Sequence, residues 1–184
     1  TIAQINPTVG DIANNASNIV RSINKHRKLT DIIIFPEMSL TGYPVSDLLF
    51  SEHFIFEVRK NLDQIIKSTN NIIVILGLPR ENKSLLYNSA VIIQNCKVLG
   101  YRDKTHLPSY DVFDEKRYFR AANTTSIFHL YSRDKIVKIG LTICEDLWVE
   151  EEIQGRKISG PDPLNELEGK EIDLLINLSA SPFD

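Results

Sequence analysis

The sequence predicts an α/β layered fold with a mixed sheet. Short β-branched runs recur along the chain, and two segments between them carry helical apolar spacing. In the middle, two strand-like runs follow each other directly, which breaks the strand–helix alternation of an all-parallel sheet.

The expected strands are Ile2 to Ile5, Ile32 to Phe35, Ile72 to Leu76, Ala90 to Ile93, Ile136 to Ile143 and Leu174 to Ile176. Between the first two, Ala16, Ile19, Val20 and Ile23 fall at i, i+3, i+4, i+7, one apolar stripe of a helix facing a sheet. A second helix carries Ile55, Val58, Leu62, Ile65 and Ile66 on one face, with Ser51 as its cap. From Tyr87 to Tyr101, two runs meet through Gln94, Asn95, Cys96 and Lys97, a tight turn between antiparallel neighbours. Glu150 to Pro161 reads as a long exposed loop. A short third helix is expected after it, capped by Asp162, with Pro163 in its first turn and Gly169 just past its end.

At 184 residues the chain can bury one substantial core but is short for two ordinary domains. A net charge of −3 without long like-charge runs gives no reason to expect nucleic acid or an anionic membrane as partner. No apolar run approaches the ~20 residues of a bilayer span, and the amino terminus lacks a signal pattern, so a cytoplasmic protein is expected. Two cysteines, Cys96 and Cys144, fit a reduced compartment better than a disulfide framework. His26, His53, His106 and His129 lack paired zinc spacing, and no Walker-type or GxGxxG loop appears, so neither a metal nor a nucleotide is expected in this chain.

Reactive residues collect in four clusters after expected strands, where α/β sheets assemble their sites. In DIIIFPEM, residues 31 to 38, Pro36 stops the strand and presents Glu37 beside buried structure, where desolvation favours a general base. A lone loop glutamate is nonetheless more often solvated. In YRDKTHLPSYDVFDEKRYF, residues 101 to 119, Lys104 and Lys116 read as surface lysines and Glu115 as a partner of Arg117 or Lys116. KIGLTICEDLW, residues 138 to 148, delivers Cys144 to a turn in the manner of a nucleophile elbow, with the following backbone N–H facing a developing oxyanion. A buried structural cysteine is the commoner fate of a lone Cys, and spacing leaves a Cys–His pair with His106 or His129 open. In DLLINLSASPFD, residues 173 to 184, Asn177, Ser179 and Ser181 suit a polar pocket as well as a strand end. Cys96, in the expected turn, reads as a bystander.

Taken together and in order, the Glu37, Lys104 and Cys144 segments resemble the nitrilase (carbon-nitrogen hydrolase) superfamily. Within it, AQINPTVGD (3 to 11), FPEMSLTGYP (35 to 44), DKTHLPSYDVFDEKRYF (103 to 119), ICEDLW (143 to 148) and NLSASPF (177 to 183) are similar to the glutaminase domains of glutamine-dependent NAD synthetases. The resemblance covers essentially the whole chain and implies an αββα sandwich over residues 1 to 184, incomplete at its C-terminal end. It implies Cys144 as attacking thiolate, Glu37 as general base, Lys104 as the cation beside the tetrahedral intermediate, and Glu115 as a second carboxylate positioning lysine and substrate. Tyr110 and Ser181 match substrate-contact positions, and the backbone N–H of Glu145 is the candidate oxyanion donor.

Lys104 beside Cys144 is expected to lower the thiol pKa. The resemblance further implies glutamine as substrate, no cofactor in this domain, ATP and Mg in a separate synthetase domain that receives the ammonia, and a homo-oligomer. That synthetase domain and a basic substrate contact beyond Ser181 have no counterpart in the sequence, and Thr1 stands where a methionine would start, so a piece of a longer enzyme is expected. A free-standing amidase for another amide, or a non-catalytic scaffold, are the alternatives.

Overall fold

A computed structural model describes residues 1–123, 127–148, 152–153, 156–157 and 161–181. Two mixed sheets lie face to face, with two helices packed on the outer face of the first. That sheet has the order β1 (Ile32–Ile34), β2 (Ile73–Asn82), β3 (Leu85–Gln94), β4 (Lys97–Asp103), with β1 parallel to β2 and the other pairs antiparallel. The second has the order β5 (Ile127–Ser132), β6 (Lys135–Ile143), β9 (Leu174–Leu178), antiparallel then parallel. A two-residue pair, β7 (Glu152–Ile153) with β8 (Arg156–Lys157), lies inside the segment expected to be loop; the rest of that segment, apart from Pro161, falls outside the described residues.

The period-2 alternation of β2 and β3 builds two cores from one sheet. Val74, Leu76, Leu78, Val91 and Ile93 point to the helices, while Ile73, Ile75, Ala90 and Ile92 point to Leu130, Ile139, Leu141, Ile143, Ile176 and Leu178 of the second sheet. Both faces are covered, so these strands read as continuous apolar runs rather than alternating ones.

α1 (Ile12–His26) buries Ile12, Ala16, Ile19 and Ile23 and is capped by Asp11, whose carboxylate accepts from Asn14 N. α2 (Glu52–Lys67) packs Phe54, Ile55, Val58, Leu62 and Ile65 inward, and Ser51 caps it by accepting from Phe54 N, as its sequence predicts. Buried Asn15 of α1 donates to Thr8 O at 2.7 Å and Leu40 O at 3.2 Å, tying the first helix to the loop that follows β1.

Three hairpins use two-residue turns whose residues are both left-handed: Lys83–Ser84, Asn95–Cys96 and Arg133–Asp134. The second is the turn expected at Asn95 and Cys96. The others carry no glycine or Asn-Gly signal, which is why β5 escapes a sequence reading.

Two expected elements differ. Ile2 to Ile5 is no strand; Ile2 forms one parallel bridge with Ile34, and Ala3 N donates to Ile34 O at 2.8 Å. Pro7 cannot donate to a ladder, and Ile2 itself is exposed. The segment from Asp162 to Gly169 forms successive turns instead of a helix. Its two ends behave as their chemistry requires: Asp162 Oδ1 accepts from Leu164 N at 2.8 Å, and Gly169 adopts φ +71°. Between them Leu167 N and Glu168 N both donate to Leu164 O, at 2.9 and 3.0 Å, a single turn that does not repeat.

Candidate active site

Four strand ends converge on one buried polar cluster. After β1, Pro36 stops the strand, and Met38 turns left-handed at φ 52°, leaving Glu37 2% exposed. Gly77 of β2 makes this possible: a Cβ there would lie 2.3 Å from Met38 N and 2.6 Å from Glu37 Cα, so only glycine lets the loop press onto the strand.

Lys104 follows β4 and is 1% exposed. Its ammonium donates to Glu37 Oε1 at 2.8 Å and to Glu115 Oε1 at 3.0 Å. Glu115 opens the short α3 (Glu115–Tyr118), its backbone N–H donating to Pro108 O at 2.9 Å. Burial alone pulls the lysine pKa down, but the two carboxylates outweigh it and hold Lys104 above the ordinary lysine range, so it stays cationic.

Asn88 of β3, fully buried, donates from Nδ2 to Glu37 Oε1 at 2.7 Å and to Glu115 Oε1 at 3.1 Å, while Tyr43 OH donates to Glu115 Oε1 at 2.9 Å. Ala180 N, just past β9, donates to Glu37 Oε2 at 3.1 Å. Glu37 thus receives donors on both oxygens. Glu115 receives three on one oxygen, and its Oε2 has no partner among the described residues. Burial pushes the Glu115 carboxyl up to about 7 against the opposing pull of Lys104, which leaves it poised between its acid and carboxylate forms near neutral pH.

Cys144 directly follows β6 and opens a short 3-10 helix (Cys144–Leu147) at φ 49°, the left-handed conformation that sharply reverses the chain. The N–H of Glu145 lies in the first turn of that helix, where backbone donors lack a partner within the helix. Glu37, Lys104, Glu115 and Glu145 are all close enough for their charges to act on the thiol. Burial, then Glu37, push it up to about 12, and Lys104 only partly offsets them. Lys104 pulls the thiol pKa down as expected, but in a site with more carboxylates than cations the desolvation of the thiolate wins and the net direction is upward. Cys144 is therefore a protonated thiol at rest, and its attack on a carbonyl requires a base.

The Glu145 side chain is buried and accepts a hydrogen bond from Tyr110 OH. Tyr110 packs edge-on against Phe113 at 5.6 Å, and Phe113 against Tyr43 at 5.8 Å, so the loop between Lys104 and Glu115 lays aromatic rings beside the cluster. Ser181 is exposed, adjacent to Ala180. Among the described residues, no group of three or more His, Cys, Asp or Glu side chains could hold a metal ion, and no helix is long and apolar enough to cross a membrane.

Strand-end motifs pointed to Glu37 and Cys144, and the family resemblance to Lys104, Glu115 and Tyr110; the structure brings these side chains together, with Lys104 and Glu115 buried rather than on the surface. Sequence reasoning missed Asn88, Tyr43, Arg102, Asp146 and the side chain of Glu145. Asn88 stands in β3 just ahead of the apolar run Ala90 to Ile93, which was a readable signal, because an amide buried with such a strand needs a partner.

The family profile described as Carbon-nitrogen hydrolase matches residues 1–154. The chain belongs to the carbon-nitrogen hydrolase family. This carbon-nitrogen hydrolase is 39% identical over 191 residues to the glutamine-dependent NAD(+) synthetase of Synechocystis sp., covering 99% of the chain and 34% of that relative. It is 40% identical over 185 residues to the synthetase of Aquifex aeolicus, covering 100% and 30%. The solved glutamine-dependent NAD+ synthetase of Acinetobacter baumannii superposes with a TM-score of 0.80 at 30% identity, covering 100% of this chain and 32% of that one. An amidase from Nesterenkonia sp., 17% identical, matches the fold at a TM-score of 0.76, covering 100% and 65%. The chain spans about a third of the length of the synthetases it matches.

Proposed function

We propose that this chain is the glutamine-hydrolysing part of a glutamine-dependent NAD synthetase, working through a Cys144 thioester. The observation that carries this reading is the burial of one carboxylate, one ammonium and one thiol together, with Glu37 paired to Lys104 at 2.8 Å and both acting on Cys144.

An amide is a poor electrophile with a poor leaving group, so it needs a nucleophile, an oxyanion partner and a proton for the amine. Glu37 takes the thiol proton as Cys144 Sγ attacks the carboxamide carbon. Negative charge then develops on the amide oxygen, facing the Lys104 ammonium and the N–H of Glu145, a donor of the kind worth ~3 kcal/mol in comparable sites. Glu37 returns the proton to nitrogen and ammonia departs, leaving the thioester. Water deprotonated by Glu37 attacks the thioester, releasing glutamate and the thiol.

Glu115 positions Lys104 and the amide, Tyr110 and Ser181 contact the substrate, and the buried Glu145 carboxylate beside Tyr110 suits the α-ammonium of glutamine. No cofactor enters these steps. ATP and Mg belong to a synthetase domain that receives the ammonia and amidates nicotinic acid adenine dinucleotide. A homo-oligomer in the cytoplasm, which keeps Cys144 reduced, completes the proposal.

The test is glutamate release and NAD formation by the protein carrying both activities. Cys144→Ala abolishes glutamine-supported synthesis and leaves ammonia-supported synthesis intact. Retained glutamine hydrolysis, or loss of both syntheses in a folded variant, overturns the reading.

A further inference from the structure

The proposed base and the proposed nucleophile stand on different sheets. Glu37, Asn88 and Lys104 belong to the helix-covered sheet and its loops, Cys144 to the end of β6 in the other. Sheet-on-sheet packing is apolar and sets no unique register to a fraction of an ångström, yet proton transfer from Cys144 to Glu37 demands one. Something polar must fix it.

In addition to the Ala180 N–Glu37 bond, a buried ion pair crosses between the sheets beside the site. Arg102, at the end of β4, is 1% exposed and Asp146, in the turn after Cys144, is 0% exposed; Arg102 Nη2 lies 2.9 Å from Asp146 Oδ2. Arg102 Nε also donates to Leu141 O of β6 at 3.1 Å, and Nη2 to Thr105 Oγ1 at 2.8 Å. Asp146 accepts on its other oxygen from Thr105 N at 2.9 Å and His106 N at 3.0 Å, and on Oδ2 from Ile143 N at 3.1 Å. The backbone contacts of Asp146 bracket two reacting residues: Thr105 and His106 follow Lys104, and Ile143 precedes Cys144. The pair thus ties the segment after Lys104 and the segment before Cys144 to a common point.

We infer that the Arg102–Asp146 pair is a positioning clamp that sets the register of Cys144 against Glu37 and Lys104. This inference rests on the roles proposed for those three residues, but its central test does not need them to be catalytic. A buried ion pair contributes little net stability compared with an apolar pair of similar volume, so its retention here calls for a geometric reason. Asp146→Asn keeps an acceptor for Thr105 and His106 but loses the charge pair and the Ile143 bond. Arg102→Lys keeps the charge but cannot span Leu141, Thr105 and Asp146 together.

The test uses the protein with Cys96→Ser, which leaves Cys144 as the only cysteine within residues 1–184, and follows alkylation of Cys144 by iodoacetamide at pH 9. Well below the thiol pKa, the alkylation rate follows the thiolate fraction, so the rate ratio between Glu37→Gln and its parent measures how strongly the Glu37 charge is felt at Cys144. In the parent background the ratio rises severalfold, because removing a neighbouring carboxylate frees the thiolate. In Asp146→Asn the same ratio falls to less than half that value, and glutamine turnover drops about 100-fold in kcat with KM within about twofold. An unchanged ratio in a folded Asp146→Asn protein overturns the clamp, as does a parent ratio of one, which would mean that Glu37 and Cys144 are not neighbours. If Asp146→Asn does not fold, Arg102→Lys decides in the same cycle, with the same two outcomes. A ratio that shrinks as expected in a protein with no glutaminase activity upholds the clamp while refuting the proposed substrate.

Discussion

Gly77 offers the sharpest test of how the fold positions the base. It lies in β2, 27 or more positions along the chain from every group proposed to react, and has no side chain of its own. Replacing it by alanine puts a methyl 2.3 Å from Met38 N, where ordinary contact begins at 3.4 Å, so the Glu37 loop must retreat by about 1.1 Å. The atoms it meets are backbone and cannot rotate away. A displacement of that size in a catalytic group costs on the order of 100-fold in rate, ~2.7 kcal/mol of barrier. Overpacking adds ~1–3 kcal/mol of lost stability.

The measurement is kcat for glutamine hydrolysis by Gly77→Ala, with urea unfolding of the same preparation. Gly169→Ala is the control: its Cβ meets nothing within 4 Å, though φ +71° strains it, so it loses ~1 kcal/mol of stability and no kcat. A Gly77→Ala enzyme within threefold of wild type would refute the claim that this contact sets Glu37.

Two further outcomes follow from the same cluster. The Glu115 carboxyl, raised to about 7 by burial, produces an inflection near pH 7 in kcat/KM, which Glu115→Gln removes; an inflection that survives belongs to another group. Because the folded pKa exceeds the unfolded one, the stability that Glu115 contributes is fully present below about pH 4.5 and is lost as pH rises through about 7, so Glu115→Gln flattens chemical-denaturation stability across that window. Asn88→Ala strips one donor from each of Glu37 and Glu115 and lowers stability by ~2–3 kcal/mol with at least a tenfold fall in kcat; an unchanged unfolding midpoint would show that the amide bonds are not formed in solution.

Local pattern carried much of this reading. The apolar stripes of α1 and α2, the Ser51 cap, the Asn95–Cys96 turn and the placing of Glu37 and Cys144 after strands all depend on interactions within a few residues, which a linear sequence displays directly. The roles of Lys104 and Glu115 came from the family resemblance, since a lysine in a charged loop looks the same whether solvated or buried. Only the packed structure shows that Lys104 is 1% exposed between two carboxylates.

The tertiary structure also decided what no neighbour-by-neighbour reading contains. The Cys144 thiol pKa is set by burial and the carboxylates of Glu37, Glu115 and Glu145 against the single cation Lys104, which pulls it down as expected without prevailing. Asn88, Tyr43 and the Arg102–Asp146 pair each make a contact that spans more than 40 residues of sequence. A side chain's conformation is a local matter, but its electrostatic surroundings exist only after distant strands have been stacked, and that is where the chemistry of this chain is set.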